Sequence, residues 1–128
     1  MPVSVNFVDI TASIKGIILV SGFECDIYMK KIKITVMRIA HYADLMELYE
    51  NPIEHACDMH VGDTFMVEDC VKPAGMCDSA WETLLPFVRE LVQGGGNFFD
   101  GWMKNPHSAM LSCNDGFRPV SFYVEVIE

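Results

Sequence analysis

Between Lys31 and Val36 every second residue is apolar, with Ile32, Ile34 and Val36 alternating with Lys31, Lys33 and Thr35. A period of two belongs to a strand with one face in a core and one in water, so a strand is predicted here. From Tyr42 the period changes: Tyr42, Leu45, Met46 and Tyr49 recur at helical spacing, which predicts a short helix that Pro52 stops. After the turn signal Gly62-Asp63, Phe65 and Val67 alternate with Met66 and Glu68, predicting a second, short strand that ends near Cys70. Lys72-Pro73-Ala74-Gly75 reads as a loop. Ser79-Ala80-Trp81-Glu82 then fits a capping box, in which the Ser hydroxyl and the Glu carboxylate satisfy backbone N–H groups at a helix start. Trp81, Leu84, Leu85, Val88, Leu91 and Val92 form the apolar stripe of that helix, and Gly94-Gly95-Gly96 ends it. Pro86 interrupts the stripe. Because proline has no N–H and collides with the preceding turn, either a kink or a fresh start with Pro86 at the first helical position is expected.

The C-terminal pattern is a hairpin. Ala109, Leu111 and Cys113 alternate on one side of Asn114-Asp115-Gly116, and Val120, Phe122, Val124 and Val126 return on the other. Pro119 cannot donate to a ladder, so the returning strand is expected to start at an edge or a bulge. The predicted order is β-α-β-α-β-β, an α+β two-layer domain over residues 29–128 in which the apolar stripes of both helices cover one sheet face. Residues 1–28 stand apart as an N-terminal extension, because Met29-Lys30-Lys31 offers an alternative start just ahead of the first strand. Within the extension Val3, Val5 and Phe7 alternate and Ile17 to Val20 is apolar, so it either adds a hairpin or hangs free.

The chain's 128 residues are one domain's length, and 51% apolar content with a mean hydropathy of +0.22 is enough for a core and excludes a disordered chain. Nine Lys and Arg against eighteen Asp and Glu give a net charge of −9, which repels phosphate backbones and anionic lipid. No nucleic-acid and no membrane partner is expected; a homo-oligomer, or a protein partner of unspecified kind, is. The longest apolar run, Gly16 to Phe23, is far too short to span a bilayer. Five cysteines, an odd number without a secretory leader, point to reduced thiols in the cytoplasm.

Chemistry concentrates at a few positions. His55-Ala56-Cys57-Asp58-Met59-His60 puts two imidazoles, a thiol and a carboxylate within six residues, and Cys57 with His60 has a gap that lets both point at one ion. Exposed loop histidines and a small buried thiol explain the same run. Cys77 precedes the main helix, whose positive end favours a thiolate, although Asp78 adds a negative charge beside the sulfur. Arg118 follows the hairpin turn and can fork onto a carboxylate or phosphate; a salt bridge to Asp115 or Asp78 is the plainer expectation. Trp81 and Trp102 read as core and rim packing, with Trp81 and Arg118 the residues that would contact a substrate if there is one.

Three segments, Cys57-x4-Gly62-x2-Phe65, Pro73-x-Gly75-x-Cys77-x2-Ala80-Trp81 and Cys113-x-Asp115-Gly116-x-Arg118-Pro119-Val120, together resemble a family of small prokaryotic proteins described as an uncharacterised repeat protein family. The resemblance runs from about Met29 to Glu128, and it departs from the family pattern at Asp58, where Pro is usual, and at Met76, where Phe is usual. It implies a fold unit and three motif cysteines and no particular reaction; Cys25 and Cys70 match no motif. Grouped this way, Cys57, Cys77 and Cys113 with His60 or Asp58 as a fourth donor would hold zinc or iron, and otherwise no cofactor is expected. Three functions follow as expectations. They are a metal- or thiol-dependent binding protein using Cys57, Cys77, Cys113 and His60; a non-catalytic interaction module with structural cysteines; and an enzyme with Cys77 as nucleophile and Arg118 holding an anionic substrate.

Overall fold

A computed structural model of the chain describes residues 30–53 and 58–127. Residues 1–29, for which a hairpin or a free extension are the two expectations, and residues 54–57 and 128 lie outside the described residues. The alternation that starts at Lys31 becomes β1 (Ile32–Ile39), with Ile32, Ile34 and Val36 buried. It is followed by α1 (Ala43–Tyr49), β2 (Thr64–Val67), α2 (Asp78–Val92), β3 (Ser108–Ser112) and β4 (Val120–Val126), the order the periodicities predict. The four strands form one antiparallel sheet in the order β2-β1-β4-β3.

Register fixes which side chains share a face. Ile32 lies opposite Val67 and Val126, Ile34 opposite Phe65 and Val124, and Ala109 and Leu111 continue the row opposite Val124 and Phe122. All of these lie on the face covered by α2, whose Ala80, Leu84, Val88, Leu91 and Val92 are buried against it. Phe122 sits at the centre with no exposed surface. The intervening residues Lys33, Thr35, Tyr123 and Glu125 take the opposite face and are half-buried.

Two ends of the sheet can be distinguished. At the lower end β1 begins; there Lys30 N–H donates to Val92 O at 2.8 Å, and the His107 ring nitrogen lies 3.2 Å from Gly95 O. These contacts hold the C-terminus of α2 low. A helix of 15 residues extends about 22 Å away from there. The upper end of the sheet is where β1 and β3 finish and β4 begins. The loop before α2 passes β2, where a Cβ on Gly75 would lie 3.7 Å from the Phe65 ring.

Two local expectations, the cap of α2 and the placing of α1, are corrected, and the alternatives left open at Pro86 and Pro119 are resolved. The N-cap of α2 is Cys77, not Ser79: its sulfur accepts the Ala80 N–H at 3.4 Å, and Trp81 N–H donates to Cys77 O at 3.1 Å as the first helical bond. Starting there places buried Met76 and half-buried Trp81 at the two positions of a hydrophobic staple, and that burial outweighs a capping box. Pro86 starts no new helix, because α2 runs through it; Pro86 and Glu82 are both exposed, so the carbonyl deprived of its donor stands on the wet side. The strand β4 lies between β1 and β3 rather than at an edge, and Pro119 precedes it, its carbonyl accepting from Ala40 N–H at 2.9 Å. The bulge expected near Pro119 is found across the ladder on β1, where Met37 is the extra residue between Val36 and Arg38. Finally, α1 covers no sheet face and buries none of its residues.

Candidate functional site

The residues singled out by the sequence lie mostly in loops and at the ends of elements. Cys77 is exposed at the start of α2, its sulfur accepting Ala80 N–H and standing 3.7 Å from Ser79 Oγ. Cys113 extends β3 by one rung, its N–H donating to Val120 O at 3.0 Å and its sulfur accepting Val120 N–H at 3.2 Å. Both thiols are free, and both sulfurs accept a backbone N–H. Cys70, which no motif claims, is disulfide-bonded, and neither Cys77 nor Cys113 is its partner. A set of five reduced thiols does not anticipate that bond.

His60 belongs to the turn before β2. Its backbone N–H donates to Asp63 Oδ2 at 2.9 Å, and its ring nitrogen lies 3.9 Å from the same oxygen with the side chain in water. His55 and Cys57 lie outside the described residues. Among the described residues no three His, Cys, Asp or Glu side chains come together as a metal ion requires.

Arg118 is committed elsewhere than expected. Its two terminal nitrogens donate to both carboxylate oxygens of Glu50 at 2.9 and 2.6 Å, instead of to Asp115 or Asp78. The hydrogen bonds to Glu50, and then the nearby charges of Glu50 and Asp115, push the guanidinium pKa above its ordinary value, against some desolvation. Asp115 spends Oδ1 on the backbone N–H groups of Phe117 and Arg118 at 2.8 and 3.2 Å, which closes the hairpin turn. Asp78 pairs with Lys72 at 2.7 Å, and Lys72 also donates to Met76 O at 2.8 Å. The ammonium holds the Asp78 carboxyl below its usual range, first through the hydrogen bond and then through charge.

The fork between Glu50 and Arg118, 68 residues apart, ties the end of α1 to the β3–β4 connection. Tyr42 N–H adds a bond to Phe117 O at 2.9 Å. Thus α1 is held at both ends by loop contacts while packing on no other described helix or strand. Its apolar stripe faces water: Leu48 is 69% and Tyr49 75% exposed, and Tyr42, Leu45 and the following Ile53 are exposed too. The periodicity read Tyr42, Leu45, Met46 and Tyr49 as a stripe covering the sheet; Met46 is half-buried and the other three are exposed. A signal against core was present, since no Lys or Arg occurs from His41 to Val71 while Asp44, Glu47, Glu50, Glu54, Asp58, Asp63, Glu68 and Asp69 do.

A second exposed apolar feature lies at the lower end. The loop after α2 turns through left-handed backbone at Asn97, Phe99 and Asp100. Phe99 and Trp102 meet edge to face at 5.2 Å between ring centres, and Phe98 packs on Phe87 at 5.0 Å. Left-handed backbone is unusual for a bulky residue, and here it leaves Phe99 72% exposed. Trp102 is thus a rim residue as expected, and Trp81 packs partly buried on the core. No described helix is long and apolar enough to cross a membrane. No family model, no curated protein and no solved structure matches this chain.

Proposed function

We propose that the protein is a non-catalytic interaction module whose docking surface is the outward side of α1. The observation that carries this is the exposure of Leu45, Leu48 and Tyr49 on a helix that is nevertheless locked in place by the Glu50–Arg118 fork and the Tyr42–Phe117 bond. A short helix of seven residues has little stability of its own. Holding it with its apolar side in water costs free energy that a partner recovers by covering it. A photo-crosslinking amino acid placed at Leu48 is expected to give a discrete adduct, and the same group at exposed Glu82 none. The double variant Leu48→Ser/Tyr49→Ser is expected to melt within about 2 °C of the parent, as exposed positions do. A large fall in Tm would mean the stripe belongs to the core and would count against the proposal.

A second reading rests on the two backbone-donated sulfurs. Cys77 and Cys113 each accept a backbone N–H, and with Cys57 and His60 they are the set a zinc or iron site would use. Near-stoichiometric metal in protein purified without chelator, lost in Cys77→Ser and Cys113→Ser, would establish it. Metal-free protein with rapidly alkylated Cys77 would move the weight to thiol chemistry instead.

A further inference from the structure

We infer that the partner covering α1 presents a basic amphipathic segment, a helix or turn with apolar residues on one side and Lys or Arg beside them. The inference rests on the docking surface proposed above and adds its charge. Seven helical residues place Leu45, Leu48 and Tyr49 in water and put exposed Asp44 and Glu47 on the flanks of that stripe. Arg118 is bound at both terminal nitrogens by Glu50, and Arg38 lies on β1 opposite Ser121. Asp44 and Glu47 are, among the described residues, the unpaired carboxylates of α1 itself, and no Lys or Arg occurs anywhere from His41 to Val71. The surface is therefore an apolar stripe edged by carboxylates, and a complementary occupant is apolar and positively charged.

The same charge argues against the two other occupants. A second copy docked through this face would bring the carboxylates of both chains together, and like charges facing each other across an interface oppose docking. The chain's own residues 1–29 are apolar enough, but they carry one Lys against Asp9, Glu24 and Asp26, so they are acidic as well.

The test uses the full chain and two synthetic amphipathic peptides of the same Leu pattern, one with Lys and one with Glu at the polar positions, titrated by fluorescence anisotropy. The Lys peptide is expected to saturate the protein and to weaken as salt is raised, and the Glu peptide is expected not to bind. Leu48→Ser/Tyr49→Ser should weaken the Lys peptide at least about tenfold, and Asp44→Lys/Glu47→Lys about fivefold or more. Glu82→Lys changes the net charge on α2 and should leave affinity within about twofold, which separates a local surface from bulk attraction to an acidic protein. Equal losses in all variants, or no saturable binding, would overturn the inference. Sedimentation velocity supplies the other arm: a concentration-dependent dimer abolished by Leu48→Ser/Tyr49→Ser would replace the basic partner with a second copy while keeping α1 as a docking surface. No dimer, no peptide binding and no adduct from Leu48 would sink both proposals together.

Discussion

At Cys77 one side chain has two jobs, capping a helix and offering a thiol, and substitution separates them. Cys77→Ala removes the acceptor for Ala80 N–H and is expected to cost about 1 kcal/mol in chemical denaturation. Cys77→Ser restores a better cap and should be neutral or slightly stabilising, so any chemical phenotype shared by both variants belongs to sulfur and not to folding. Asp78 next to it yields a pH prediction. Its folded pKa lies below the unfolded value because of Lys72, so its stabilising contribution is present above the unfolded carboxylate pKa and is lost as pH falls through the folded one. Asp78→Asn is expected to flatten the acid limb of stability against pH and to leave the alkaline side unchanged; an unchanged acid limb would show the pair to be negligible. Of these residue-level details the sequence carried the helix start to within two positions. It could not choose the cap, because Met76 and Trp81 decide that by being buried together.

On the scale of elements, α2 is a helix that tolerates a proline. The break lies on its exposed side, so the stripe of Leu84, Val88, Leu91 and Val92 is uninterrupted against the sheet. Pro86→Ala restores the bond to the Glu82 carbonyl and is expected to raise stability by about 1–3 kcal/mol, visible as a higher Tm. A fall in Tm would mean that the bend at Pro86 shapes the core. The helix stop was equally readable. Gly94 and Gly96 have positive φ, and a Cβ at Gly96 would run into the Pro106 carbonyl, so the backbone requires glycine at these two positions of the run. The helix α1 was legible as a helix and illegible as a surface. Its apolar spacing is the same whether the stripe meets a sheet or water, and only the position of α1 beyond the upper end of the strands separates the two.

For the whole molecule, one sheet face and one helix carry the core, with no second layer on the face of Lys33, Thr35 and Tyr123 among the described elements. A core this thin leaves stability concentrated in few side chains. Phe122→Ala, at its centre, is expected to cost about 3–5 kcal/mol out of a total of about 5–15, enough to leave the fold marginal at 37 °C in a denaturant titration. A cost below about 1 kcal/mol would contradict the central place of Phe122. The surface charges are mostly acidic, and exposed apolar side chains occur on α1 and the aromatic loop and also singly at Met37, Val61, Met66, Val71, Met110 and Ile127.

Sequence alone determined what depends on neighbours along the chain: the period of each strand and helix, their order, the hairpin turn, the glycine stop and the acidic stretch around α1. These follow from local geometry, where i+2 or i+3 spacing decides which face a residue takes. Only the tertiary structure decided what depends on distant partners. It assigned Arg118 to Glu50 across 68 residues, put β4 inside the sheet instead of at its edge, gave α2 the only buried stripe of the two helices, and left the stripe of α1 in water. Pairing between segments so far apart is set by which surfaces the topology brings together, and one sequence carries no local mark of that choice.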